Sequence, residues 1–299
     1  MADGRKKKTA IENVLELFVA EFVGTGLLLF LGCMGCAVAP NSLPIVSHYF
    51  HALTFGLAVL ICVQIIAHIS GAHLNPVVTI ATVIFGHVKP LIGIVYVVAQ
   101  FSGATLGFGL IKLLLPDIYV ETEYVNNANI TVTRHGLCTT VPHPQISTFQ
   151  AIGIEAVTTA VLILVCCSVW DKRNANNTDA ISVKFGLVIA GIAMGSAPFT
   201  SGSMNPARSF GPALLNGEWD RHFIYWVGPI LGSVAASYFY KILYQLPNEE
   251  NNVVEEQNLN EIIEKDEYLL LFSKKTFRID IFVINEQIIL PENTCVLVN

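Results

Sequence analysis

Charge is what this chain has least of. Asp, Glu, Lys and Arg make up 13% of its 299 residues, against 53% hydrophobic residues and a mean hydropathy of +0.57. Soluble domains carry about 25% charged residues, so the composition excludes an ordinary soluble fold. Catalytic groups are equally sparse. His48, His51 and His68 are scattered singles, and no Ser/His/Asp set or pair of catalytic carboxylates falls within the apolar segments, so an embedded enzyme is excluded and no cofactor is expected. Cysteine is too dispersed for a disulfide framework. Cys33, Cys36, Cys62, Cys166 and Cys167 lie in apolar segments, Cys295 is near the end, and Cys138 stands alone in a polar connection. Cys33 and Cys36 have a metal-like spacing but no second ligand pair, so no metal is expected and small packing residues explain them better. The net charge of -6 sits largely in a tail holding Glu249, Glu250, Glu255, Glu256, Glu261 and Glu264, and no basic patch suggests a nucleic-acid partner.

What the chain does have is long apolar runs, at about 17–39, 50–69, 91–115, 149–170, 181–199 and 223–246. Each is about long enough to cross a hydrocarbon core of roughly 30 Å as a helix, which makes the lipid bilayer its first partner. The first run is too long, and too poor in small cleavage-site residues, for a removable signal peptide, so it is expected to be a retained span. Arg5, Lys6, Lys7 and Lys8 precede it, and Lys172 and Arg173 separate the fourth and fifth runs, so both termini are expected on the cytoplasmic side. The expected organisation is a cytoplasmic N-terminus (1–10), a first unit (11–115), an outer loop (116–147), a second unit (148–246) and a cytoplasmic tail (247–299). The outer loop carries a glycosylation sequon at Asn129 and makes the plasma membrane the default location; the inner sequon at Asn176 is expected to stay silent.

The two units repeat each other. Asn75-Pro76 and Asn205-Pro206 each follow Phe-Gly-Leu by twenty residues, at Phe55 and Phe185. Glu21 answers Glu155, and Gln100 to Ala104 answer Pro229 to Ser233. Three spans per unit is an odd number, so the second unit enters the membrane in the opposite sense, as an inverted repeat. The apolar runs after each Asn-Pro, 77–85 and 207–215, are too short to cross and read as re-entrant half-helices. Proline suits the first helical position and asparagine caps it through its side-chain oxygen, which leaves the amide NH2 of Asn75 and Asn205 free to face a shared lumen. A positive dipole end behind each amide disfavours cations and protons, while neutral polar molecules can accept hydrogen bonds.

Across about 12–246, the motifs AEFVGTG, SGAHLNPVVT, AQFSGA, SGSMNPARSFGPAL and WVGPILG closely resemble the aquaporin, or major intrinsic protein, family. The resemblance implies an all-α membrane fold, six transmembrane helices and two re-entrant half-helices around one pore per subunit, assembled as a homotetramer. It implies a central constriction at Asn75, Pro76, Val77, Asn205, Pro206 and Ala207, with Val77 standing where alanine is usual. It further implies a selectivity filter of Phe55, Ala193, Gly202 and Arg208. Water-selective members place histidine where this chain has Ala193. Without that ring the opening keeps one apolar wall, Phe55, and one fixed cation, Arg208, a shape suited to a small polyol or urea.

Ser209 and Ala213 resemble the water-channel branch instead, and the combination is similar to an insect branch, the entomoglyceroporins. Passage of water with glycerol and urea is therefore expected, with strict water selectivity, or a structural or adhesion role, as the alternatives. Glu21 and Glu155 read as buried acceptors for the re-entrant loops. His73 lines the inner pore or braces its loop, and both readings stay open. Gly24, Gly103, Ala104 and Gly232 read as close helix contacts. The tail combines an acidic, polar stretch with apolar segments at 268–272 and 279–284, and does not declare a role.

Overall fold

The computed structural model describes residues 9–37, 48–120, 123–125, 131–133, 136–177, 179–244, 282–284 and 287–289. Among the described residues up to 244 there are six long helices: α1 (Ala10–Met34), α2 (His48–Ser70), α4 (Pro90–Leu114), α6 (Thr148–Trp170), α7 (Ile181–Thr200) and α9 (Ile224–Leu243). Two shorter helices follow the Asn-Pro pairs, α3 (Pro76–Ile84) and α8 (Pro206–Asn216), and a single turn, α5 (Asp117–Val120), opens the connecting loop. Five of the long helices are apolar enough to cross a membrane on their own; α9 is as long as α7 but carries Ser233, Ser237 and Lys241.

The first helix begins seven residues before the apolar run expected at residue 17. Its start is set by a capping box, in which Thr9 Oγ1 accepts from Glu12 N at 3.2 Å and Glu12 Oε2 accepts from Thr9 N at 2.7 Å. The second repeat opens the same way at Ser147 and Gln150. At the other end α1 stops at Met34 rather than 39, with Gly35 as its cap.

The outer surface is unusually apolar, and the interior also buries polar groups. Leu53, Leu57, Ile61, Ile65 and Ile69 form an exposed stripe along α2, whereas Glu21, Thr25, Gln100, Glu155, Thr159 and Ser233 are fully buried. Apolar side chains thus cover the outer surface as lipid demands, while the interior combines apolar clusters such as Leu29, Phe108 and Ile111 with these buried polar groups.

Helices α1 and α4 pack together, α6 and α9 repeat that pair, and α2 crosses α7 between them. Missing side chains set the approach. A Cβ on Gly103 would stand 2.2 Å from the Phe22 carbonyl, and one on Gly232 would stand 2.1 Å from the Ala156 carbonyl, so equivalent glycines hold equivalent helix pairs together. Each half-helix also packs on the last long helix of the opposite half, α3 on α9 and α8 on α4.

The connecting loop contributes a small antiparallel pair, β1 (Glu123–Val125) with β2 (Thr131–Thr133). In the separate unit formed by residues 246–299, β3 (Phe282–Ile284) pairs with β4 (Gln287–Ile289). The apolar tail segment expected at 279–284 thus contributes a strand, whereas Asn129 and 268–272 lie outside the described residues.

Candidate functional site

Two loops break the helical pattern in the interior, one between α2 and α3 and one between α7 and α8. Both use left-handed backbone at non-glycine residues, Ala72 and Leu74 in the first, Ser201 and Met204 in the second. Their N–H groups need acceptors from the protein, because lipid offers none. Glu21 supplies them to the first loop, accepting from His73 N at 2.9 Å, Leu74 N at 2.8 Å, Ser70 Oγ at 2.6 Å and Gln100 Nε2 at 2.9 Å. Glu155 does the same for the second, accepting from Ser203 N at 3.0 Å, Met204 N at 2.8 Å and Thr200 Oγ1 at 2.7 Å. Tyr96 and Tyr225 complete the symmetry by donating to the carbonyls of Ser70 and Thr200 at 2.9 and 3.0 Å. That tyrosine pair was readable, since each stands four residues before an aligned position, Gln100 or Pro229, but the sequence reading passed over it.

The two asparagines meet where the loops meet. Asn75 Oδ1 caps α3 by accepting from Val77 N at 3.0 Å, and Asn205 Oδ1 caps α8 by accepting from Ala207 N at 3.0 Å. Their amides differ from the sequence expectation in one respect. Asn75 Nδ2 donates to the Met204 carbonyl and Asn205 Nδ2 to the Leu74 carbonyl, each at 2.8 Å, so one N–H of each amide links the two halves. The left-handed turns at Leu74 and Met204 leave these carbonyls buried and in need of a donor. One N–H per asparagine remains for another acceptor, and both residues line the central cavity. Pro76, Val77, Pro206 and Ala207 do not line it. Val77 is fully buried, and its carbonyl accepts from Ser233 Oγ at 2.7 Å.

That cavity has a volume of about 540 Å³ and runs from Tyr119 and Cys138 at the connecting-loop end to Val169 and Trp170 at the other. Phe55, Ala193, Gly202 and Arg208 all line it, as does His73. The Arg208 guanidinium lies 4.4 Å from the Phe55 ring centre and donates through Nη1 to the Cys138 carbonyl at 2.7 Å. Phe55 fits because α1 offers no side chain at Gly32, where a Cβ would come within 2.5 Å of the ring. Gly202 has φ +59°, and a Cβ there would sit 2.8 Å from Ser196 Oγ, so both the backbone and its neighbour favour glycine. His73 is pinned through Nδ1 to Thr79 Oγ1 at 3.0 Å and meets the Tyr96 ring at a tilted 58°, so it is braced as well as exposed to the cavity.

Cys138 is not alone. It forms a disulfide with Cys33, 105 residues away on α1, which corrects the expectation that the cysteines make no bridge. Residues 136–139 line the cavity mouth, where the last turn of α1 also ends, so the partner comes from a span rather than from the loop. Among the described residues Cys36, Cys62, Cys166 and Cys167 are free, and Cys36 lines the cavity.

Chemically, the arrangement offers a mouth with one aromatic wall and one guanidinium, then paired amide donors at the N-termini of two half-helices. At the far mouth His87 packs on Trp170 and Phe85, and burial holds its imidazole below its ordinary pKa, so it adds no cation at neutral pH. Nearby, hydrogen bonds from Arg173 hold the Asp171 carboxyl well below the usual range.

The family described as major intrinsic protein matches residues 8–240. Aquaporin-6 of Rattus norvegicus is 37% identical over 235 residues, covering 79% of this chain and 78% of that protein. Aquaporin-2 of Bos taurus is 35% identical over 224 residues, covering 74% and 76%. The X-ray structure of the aquaglyceroporin from Plasmodium falciparum superposes with a TM-score of 0.65 at 28% identity, covering 77% of this chain and 96% of that one.

Proposed function

Because the chain belongs to the major intrinsic protein family and is therefore a membrane channel of the aquaporin kind and not an enzyme, we propose that it passes water together with glycerol and urea. In this reading Phe55, Ala193, Gly202 and Arg208 are the selectivity filter, and Asn75 and Asn205, held by Pro76, Val77, Pro206 and Ala207, form the central constriction. Glu21, Glu155 and His73 brace the loops. The carrying observation is the pairing of Ala193 with Gly202 across from Phe55 and Arg208. Two lining positions contribute almost no side chain, so an apolar ring and a fixed donor group bound the opening. Glycerol and urea each offer a less polar edge to the ring and oxygens to the guanidinium. The aquaglyceroporin relationship supports the same reading.

Strict water selectivity was suggested by Ser209 and Ala213. Both are fully buried, and neither lines the cavity, Ser209 being engaged by the hydroxyls of Ser203 and Thr140. Those two residues therefore act on packing, and the filter residues act on the permeant. Protons and ions are excluded in this reading by the amide pair, the half-helix dipoles and Arg208.

The disulfide supports an oxidising environment at the connecting-loop end, hence a plasma-membrane protein with cytoplasmic termini. A homotetramer with a glycan at Asn129 and repeat units at 11–115 and 148–246 completes the proposal. Tracer uptake in cells expressing the chain tests the solute range. Glycerol and urea should enter well above background with no accompanying proton current, and uptake of both at background levels would restrict the channel to water.

A further inference from the structure

The Arg208 guanidinium defines the filter only while something outside it holds its direction. Its Nη1 donates to the Cys138 carbonyl at 2.7 Å, and Cys138 has φ +65°, left-handed backbone that a cysteine adopts reluctantly. The surrounding strand of loop is fixed to the α7–α8 side by polar contacts. Gly136 N donates to Glu218 Oε1 at 2.6 Å, Asn216 Nδ2 donates to the Leu137 carbonyl at 3.0 Å, and Thr140 Oγ1 donates to Ser209 Oγ at 2.8 Å. On the α1 side the covalent attachment is the bond from Cys138 to Cys33, one residue beyond Gly32, which accommodates the Phe55 ring. One turn of α1 thus touches both walls of the filter.

We propose that the Cys33–Cys138 disulfide is a specificity-determining brace that holds the Arg208 guanidinium against the Phe55 side of the pore. Without the bond, Cys138 relaxes from its left-handed conformation and its carbonyl turns away from Arg208. The guanidinium then has the space beside Ala193 and Gly202 to move into, since neither position carries a side chain large enough to fill it. A guanidinium there narrows the passage for the largest permeant first. Cys33 and Cys138 are positioning residues on this view, acting through Arg208 without touching the permeant. The proposal deepens the solute-channel reading and rests on its filter.

The test uses the purified full chain in proteoliposomes and compares permeability to water, urea and glycerol before and after treatment with a water-soluble phosphine. The phosphine takes up one oxygen from water to become its oxide, and the two hydrogens of that water convert the disulfide to two thiols. Mass labelling of the new thiols reports completion. Reduction should lower the permeability of the largest solute carried by about ten-fold, the effect expected when a charged hydrogen bond loses its partner, with water changing far less. Reoxidation should restore the original ratio, and Cys33→Ser/Cys138→Ser should show the reduced ratio and no response to phosphine. If that variant fails to fold, reduction of the folded wild type still decides. Fully reduced protein with an unchanged solute-to-water ratio would overturn the proposal. If the wild type carries water alone, the solute reading fails separately, and the brace is then judged on water, whose flux must fall on reduction.

Discussion

Ala193→His closes the channel to glycerol and urea, by roughly 100-fold, while water continues to pass. The expectation follows from where Ala193 sits. It lines the cavity against Gly202, whose missing Cβ would stand 3.4 Å from Ala193 Cα, and the Phe55 ring and Arg208 guanidinium form the remaining boundary. An imidazole there fills space that nothing else occupies and adds a polar nitrogen facing the guanidinium. Water needs only one small opening with a donor and an acceptor, whereas a polyol needs the apolar side as well. Osmotic shrinkage and solute re-entry, followed on the same vesicle preparation, separate the two permeabilities. Undiminished solute entry in the variant would show that the aperture is set elsewhere.

Glu21→Ala and Glu155→Ala should abolish folding rather than tune conduction. Removing the Glu21 carboxylate strands the His73 and Leu74 N–H groups, the Ser70 O–H and one N–H of Gln100 Nε2, whose other N–H keeps Thr79 Oγ1, in a buried site. Each buried polar group left without a partner costs about 1–3 kcal/mol, and a folded domain has only about 5–15 kcal/mol in hand. Neither alanine variant should yield a monodisperse species on size exclusion in detergent. Glu21→Gln and Glu155→Gln keep one acceptor oxygen and should fold with a lowered melting temperature. A Glu21→Ala protein as stable as the wild type would mean that the loop holds its shape without the carboxylate.

The half-helices were legible in the chain because their signal is local. Asparagine followed by proline dictates a cap and a first turn, and the observed Pro76–Ile84 and Pro206–Asn216 differ from the expected runs by one residue at most. Continuous apolar runs located the six long helices but misjudged the first, because the capping box at Thr9 and Glu12 extends it through polar sequence that hydropathy does not weigh. Long-range pairing was the blind spot. The Cys33–Cys138 bond depends on residues 136–139 lying at the cavity mouth, and no spacing rule encodes a separation of 105 residues. The amide cross-links from Asn75 and Asn205 escaped for a similar reason, since the carbonyls they satisfy belong to the opposite half and are turned inward by left-handed residues whose sequence, Leu74 and Met204, gives no hint of that conformation.

The most direct measurement of whether water and solute share this filter is the reflection coefficient for glycerol in proteoliposomes containing the wild-type chain, with urea run alongside. A value clearly below that of protein-free vesicles, which reject glycerol almost completely, is expected if Phe55, Ala193, Gly202 and Arg208 bound one common path. Full rejection of both solutes by vesicles that shrink rapidly would contradict it, and would mean that the space beside Ala193 is closed to everything larger than water.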